Sequence, residues 1–132
     1  MRIYFDENFS RNLTAGLRLI QEGRPSENVS IIWGPDEFGR GAADEDWIPK
    51  VAAKHGVVFT QDANIHRMRA QWDLCQENKI GMFFLKLPEG GWGYWQIVEE
   101  VVRRWRNVKE LAGIKRPFGF IVDPRIKKPK RL

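Results

Sequence analysis

Val57-Val58-Phe59-Thr60, preceded by Gly56 and followed by Gln61-Asp62, decides the fold. This continuous run leaves no polar face, so the strand it forms is covered on both sides. Such a strand belongs inside a parallel sheet with helices packed above and below.

Upstream of this run, Trp47, Ile48, Val51 and Ala52 form the apolar face of a helix that begins around Asp44 to Asp46. Pro49 would break a helix interior, which draws the expected start toward Asp46. Gly34 to Ala43, with three glycines and a proline, reads as a loop. Val29 to Trp33 reads as a strand. Before it, Leu13, Leu17 and Ile20 recur at helical spacing, with Asn8 or Ser10 as the cap and Gly23-Arg24-Pro25 as the stop. Ile3-Tyr4-Phe5 is the first strand. Downstream, Ile65, Met68, Trp72 and Cys75 mark a helix, and Ile80 to Lys86 a strand. Pro88 to Gly93 is rich in turn residues. Tyr94, Val98, Val101, Trp105, Val108 and Ala112 make the longest helical stripe, and Phe118 to Val122 a fifth strand. Strand and helix alternate four times. The expected fold is α/β, a single domain over residues 1–122 with a mostly parallel central sheet of four to five strands and right-handed crossovers. Residues 123–132 read as a basic tail without fixed structure.

Composition bounds the function. A chain of 132 residues is of single-domain size, and 42% hydrophobic residues is too many for a disordered chain. The longest strongly apolar stretch, Ile80 to Leu87, is far too short to span a bilayer, so no membrane role is expected. Met1-Arg2-Ile3-Tyr4-Phe5-Asp6 meets an acid before an apolar signal core could form, which gives the expectation of a cytoplasmic protein. Cys75, the one cysteine, excludes an internal disulfide and a cysteine zinc cage, and its place in the apolar stripe reads as core packing. The net charge of +5 is unevenly spread. Residues 103–132 hold eleven Lys and Arg against two acids, and residues 1–102 hold eleven against fifteen.

In such a sheet ligands gather beyond the carboxyl ends of the strands. Asp6 follows the first strand directly, Asp62 lies two residues beyond the third, and Asp44, Glu45 and Asp46 begin the helix after the second strand. Carboxylates brought together there would repel unless a cation joined them. Mg²⁺ takes such oxygen ligands and retains waters that a substrate phosphate can replace. The bland alternative is that Asp44, Asp46 or Asp62 caps a helix. Asp6, after a central parallel strand, has less structural reason to be an acid.

Phe5-Asp6-Glu7-Asn8-Phe9-Ser10, Gly41-Ala42-Ala43-Asp44-Glu45-Asp46-Trp47-Ile48 and Val58-Phe59-Thr60-Gln61-Asp62 resemble the three acidic motifs of compact PIN-like domains, relatives of the VapC-type toxins. The resemblance runs from Met1 to about Leu87. It implies a three-layer PIN-like fold and a Mg²⁺- or Mn²⁺-dependent ribonuclease with Asp6, Asp44 and Asp62 as catalytic metal ligands. Asp46 is the substitute if the second motif shifts register. Many relatives have a second acid where this chain has Asn64, which offers only a neutral oxygen and puts a second ion in doubt. Asn8 resembles the residue that shapes the site. The resemblance further implies an RNA substrate, a cognate antitoxin protein and a homodimer, for which the Val101, Trp105 and Val108 stripe is a candidate interface.

Other residues carry two readings each. Arg67 and Arg69 either meet RNA phosphate near the acids or form a solvated helix face. His66 is a proton donor or a surface residue. Trp92, Tyr94 and Trp95 stack on bases, or are buried against the domain's own helices or a partner. Lys127, Lys128, Lys130 and Arg131 either follow an RNA backbone with salt-dependent affinity or keep the chain soluble. Two other functions compete with a nuclease. One is a receiver-like module in which Asp62 accepts a phosphoryl group beside Lys86. The other is an inactive PIN-like RNA-binding module, suggested by Asn64.

Overall fold

The computed structural model describes all 132 residues. In chain order the elements are β1 (Arg2–Phe5), α1 (Arg11–Glu22), β2 (Ser30–Trp33), α2 (Gly34–Phe38), α3 (Asp44–Ala53), β3 (Val57–Asp62), α4 (Ile65–Glu77), β4 (Gly81–Lys86), α5 (Tyr94–Ala112), β5 (Phe118–Val122) and β6 (Lys130–Arg131), with a 3₁₀ turn at Pro25–Glu27. The strands form one sheet in the order β2-β1-β3-β4-β5-β6. The first five are parallel and β6 is antiparallel to β5. The sheet therefore has six strands, one more than the four to five expected, and the sixth comes from the tail.

Alternating side chains along the strands feed two cores. Ile3, Phe5, Val57, Phe59, Phe83 and Leu85 face α1 and α5. Tyr4, Val58, Met82 and Phe84 face α3 and α4. Val57, Val58, Phe59 and Thr60 are all 0% exposed, so the run that decides the fold is covered on both faces. The helices on the two faces also set the handedness of the connections. β3 to β4 and β4 to β5 step the same way across the sheet, yet α4 and α5 lie on opposite faces. Those two crossovers are therefore of opposite hand. The α1, α3 and α4 connections share one hand, so by the strong right-handed rule the β4–α5–β5 crossover is the left-handed exception. The expectation of right-handed crossovers throughout is corrected there. Without α5, the face opposite α3 and α4 would have only α1 to cover it.

Local details depart from expectation where tertiary packing overrides the local signal. α3 starts at Asp44 rather than Asp46, leaving Pro49 in its second turn. The helix loses the bond from residue 49 to the Glu45 carbonyl, but both residues are exposed, while Trp47, Ile48 and Val51 are buried against the sheet. Gly34–Phe38, read as loop, is a short helix with Pro35 in its first turn. Its Glu37 accepts hydrogen bonds from the Tyr4 hydroxyl (3.1 Å) and Lys54 (3.0 Å). Ser10, rather than Asn8, caps α1.

The expectation that residues 123–132 lack fixed structure is not met. Arg104, 5% exposed, donates to the carbonyls of Asp123 (3.0 Å), Ile126 (2.5 Å) and Lys127 (2.8 Å) and pairs with Glu100 at 2.7 Å. This latch turns the chain back so that Lys130 and Arg131 pair with β5. The proposed dimer stripe is also corrected. Val101, Trp105 and Val108 are buried in the chain's own core, and the Trp105 indole N–H donates to Gln21 at 2.8 Å. A homodimer would have to use another face.

Candidate functional site

The strand order reverses at β1, between its neighbours β2 and β3. The helix leaving β1 covers one face and the helix entering β3 covers the other. The crevice beyond the carboxyl ends of β1 and β3 is therefore the place where such a sheet receives a ligand. Asp6 stands there. Phe5 pairs with Phe59, and the Asp6 amide donates to the Phe59 carbonyl at 3.1 Å, which sets Asp6 beside Thr60.

Asp6 is only 4% exposed. Its Oδ1 accepts the Asn8 backbone N–H at 3.0 Å, and its Oδ2 accepts the Thr60 hydroxyl. Burial pushes its carboxyl up to about 6. The Thr60 and Asn8 hydrogen bonds and the Arg67 charge pull the other way, while the nearby Asp44 adds to the rise. Each oxygen of Asp6 retains a lone pair after these bonds. The Asn8 side chain donates to the Gln61 carbonyl at 3.3 Å, tying the loop after β1 to β3.

Asp44 enters the same crevice from the first turn of α3. Ala43, not Asp44, is the N-cap, so Asp44 is not a capping residue. Its Oδ1 accepts the Trp47 indole N–H at 3.0 Å, leaving Oδ2 free of protein donors. Asp6, Asp44 and Arg67 line one cleft of about 340 Å³, open mouth included, together with Glu7, Gly34, Phe38 and Trp47. Gly34 sits close under β1, where a Cβ would lie 3.1 Å from the Phe5 carbonyl oxygen. The Glu7 carboxylate accepts the Gly41 N–H at 3.0 Å and so fastens the loop that carries Ala42 and Asp44.

Asp62 is placed differently. It ends β3, but its Oδ2 faces Arg67 at 3.4 Å and its Oδ1 accepts the Asn64 N–H at 3.0 Å. No three His, Cys, Asp or Glu side chains come close enough to hold an ion in common. The expected gathering of three carboxylates is thus replaced by a pair, Asp6 and Asp44, with Asp62 held off by Arg67. The reason is electrostatic, since a guanidinium supplies the positive charge that the third acid seeks. Asn64 caps α4, its Oδ1 accepting the N–H groups of His66 (2.9 Å) and Arg67 (3.4 Å). Asp46, His66 and Arg69 are exposed and outside the cleft lining.

The basic residues divide by place. The strands are parallel, so the turn after β5 lies on the same sheet edge as Asp6 and Asp62. Arg125, Lys127 and Lys128 are exposed on that turn, whereas Lys130 and Arg131 run back along β6. Trp95 is 76% exposed and Trp92 half-buried, both outside the acidic cleft. Two site residues escape a reading of the sequence. Thr60 stands in the Thr-x-Asp pattern but reads there only as strand. Gln71, fully buried with Oε1 3.4 Å from the Thr60 oxygen, is hidden in an apolar stripe, and its one signal is a polar residue at a core position.

The donor set suits a hard divalent ion. Two carboxylates with free lone pairs open on one cleft, and one guanidinium does not neutralise the acids around it. Mg²⁺ is commonly held by one or two carboxylates, with waters and substrate oxygens completing its shell.

A family model described as a PIN-like domain matches residues 1–87. No curated protein and no solved structure matches the chain. The matched part ends just after β4 and includes Asp6, Asp44, Asp62 and Arg67, while α5, β5 and β6 lie beyond it.

Proposed function

The chain belongs to the PIN-like domain family, whose fold is of the nuclease type, and on that premise we propose that it is a metal-dependent endoribonuclease and the toxin of a toxin–antitoxin pair. The observation that carries this reading is the shared cleft of Asp6 and Asp44, built from elements 38 residues apart at the switch point of the sheet. Asp6 and Asp44 would hold Mg²⁺ or Mn²⁺. When bound, such an ion supplies a Lewis acid for a phosphoryl oxygen and lowers the pKa of a coordinated water.

The chain's own groups prepare the rest. Thr60 and the Asn8 N–H fix both oxygens of Asp6 and leave each a lone pair for an ion in the cleft that Asp6 lines. Trp47 fixes Asp44 in the same way. Arg67 reaches a scissile phosphate from the wall of the cleft, and Asp62 orients that guanidinium. Arg125, Lys127 and Lys128 on the same sheet edge draw the RNA backbone without reading sequence. A cognate antitoxin would inhibit by covering the acidic cleft.

Two other readings compete with this one. For a receiver, Asp62 would have to be free to take a phosphoryl group; Lys86 is its register partner across β3 and β4, but Asp62 is engaged by Arg67 at 3.4 Å. The inactive-module reading keeps Asn64 in its favour, since the cap of α4 supplies no carboxylate, and the RNA panel separates it from the nuclease.

The test is cleavage of a broad RNA panel by the full chain, with and without Mg²⁺ or Mn²⁺. Cleavage requiring the divalent ion, and reduced at least about 100-fold in Asp6→Asn and in Asp44→Asn, is expected. Intact RNA throughout, or cleavage indifferent to both substitutions, would sink the proposal.

A further inference from the structure

Gln71 is out of keeping with its surroundings. It lies on the inward face of α4 between Met68 and Cys75, is 0% exposed, and sits in the layer formed by Trp47, Ile48 and Val51. A fully buried amide is normally accompanied by partners for its polar atoms. Its Oε1 lies 3.4 Å from Thr60 Oγ1, and its Nε2 has no partner. Thr60 has one hydroxyl proton, and Asp6 Oδ2 receives it. The Gln71 carbonyl oxygen thus meets an oxygen with no proton left to offer. A half-turn of the amide removes the oxygen–oxygen approach and gives Nε2 a partner, because Nε2–H then donates to Oγ1 while Oγ1–H still donates to Asp6, and Oε1 takes the position without a partner.

We propose that Gln71 is a positioning residue. Its amide N–H, the Thr60 hydroxyl and the Asp6 carboxylate form a one-way hydrogen-bond relay from the interior of α4 to the acid that opens on the cleft. A threonine hydroxyl has one proton and two lone pairs and rotates to suit its partners. With the Gln71 N–H on one lone pair, the hydroxyl proton is directed at Asp6, and the carboxylate is fixed in the orientation that exposes its outer lone pairs. Oriented ligands of this kind depend on such supporting partners. The relay stands on its own geometry, whereas its role in chemistry rests on the nuclease reading of Asp6.

Two measurements on the full chain test it. The first needs no metal. NMR of labelled protein should show a nuclear Overhauser contact between the Gln71 side-chain amide protons and a slowly exchanging Thr60 hydroxyl proton. Contacts that place the amide protons away from Thr60 overturn the relay. The second is Mn²⁺ affinity by electron paramagnetic resonance, together with RNA kinetics. Gln71→Met and Thr60→Val should each weaken Mn²⁺ binding about 10-fold and lower kcat with KM unchanged. The double variant should be no worse than the weaker single one, and Thr60→Ser should remain near wild type. If Gln71→Met lowers only the unfolding midpoint, with Mn²⁺ affinity of the folded protein within about twofold of wild type, Gln71 is a packing residue and the positioning role is wrong. Wild-type protein that binds no Mn²⁺ overturns the metal reading and the positioning role together, while the first measurement still decides whether the relay exists.

Discussion

Arg67 and Asp62 are paired at 3.4 Å across the first turn of α4, and that pairing keeps one of three motif acids out of the cleft while setting a cation beside the other two. A half-exposed ion pair of this type contributes at most about 1 kcal/mol to stability. Arg67→Met should therefore leave the unfolding midpoint nearly unchanged. Its effect should fall on RNA instead, with KM rising at least about threefold as a phosphate partner disappears. A variant that is markedly unstable yet binds RNA normally would show Arg67 to be structural.

The titration of Asp6 gives a pH dependence of definite sign. Its carboxyl is raised from 3.8 to about 6, so the folded state holds the proton more tightly than the unfolded chain. The stability this contributes is present in full below about pH 3.8 and is lost as pH rises through about 6. The difference is at most about 3 kcal/mol. Metal-free protein should lose stability over that window, and Asp6→Asn should flatten the loss while abolishing cleavage. Denaturant titrations at pH 5 and pH 7.5 measure it, and an equal slope in wild type and variant would contradict it.

Arg104 holds the end of the chain from within. Removing it by Arg104→Met leaves Glu100, 4% exposed, without its close partner and frees three backbone carbonyls. Loss of one member of a buried pair costs about 3–5 kcal/mol, and the approach of Arg103 to Glu100 at 3.7 Å favours the lower end. The urea midpoint should fall accordingly. Amide exchange in β5 and β6 should accelerate, since β6 is the only cover on the outer edge of β5.

Truncating the tail would confuse charge with fold, because Leu132 packs near Gly119 and its N–H donates to the Gly119 carbonyl at 2.8 Å. Substituting Lys127 and Lys128 by Gln keeps the backbone and removes exposed charge alone. The salt dependence of RNA binding should shrink by about 0.7 for each phosphate no longer neutralised, or roughly 1.4 in all for single-stranded RNA. Metal-dependent chemistry on bound RNA should remain. An unchanged salt slope in filter binding would assign the tail to solubility.

Much of this was legible in residue order. The β-branched and aromatic runs at Ile3, Val57 and Gly81 lie between helical stripes, and the parallel sheet follows from that alternation. Asp6, Asp44 and Asp62 were visible because each stands where a strand ends or a helix begins. The misreadings share one cause. Val101, Trp105 and Val108 looked like a surface stripe because sequence periodicity marks an apolar face without saying what covers it. The tail looked free because what anchors it is backbone carbonyl bound to Arg104, and a carbonyl leaves no trace in residue type.

Sequence by itself determined the class of fold and the supply of acids at one edge of the sheet, since side-chain period and strand-end position are local properties. Only tertiary structure decided which acids share a cleft, that Arg67 takes Asp62, and that Thr60 and Gln71 stand behind Asp6. Those outcomes depend on distances between residues far apart in the chain, and on how burial changes the cost of a charge. Neither is encoded in any one stretch of sequence.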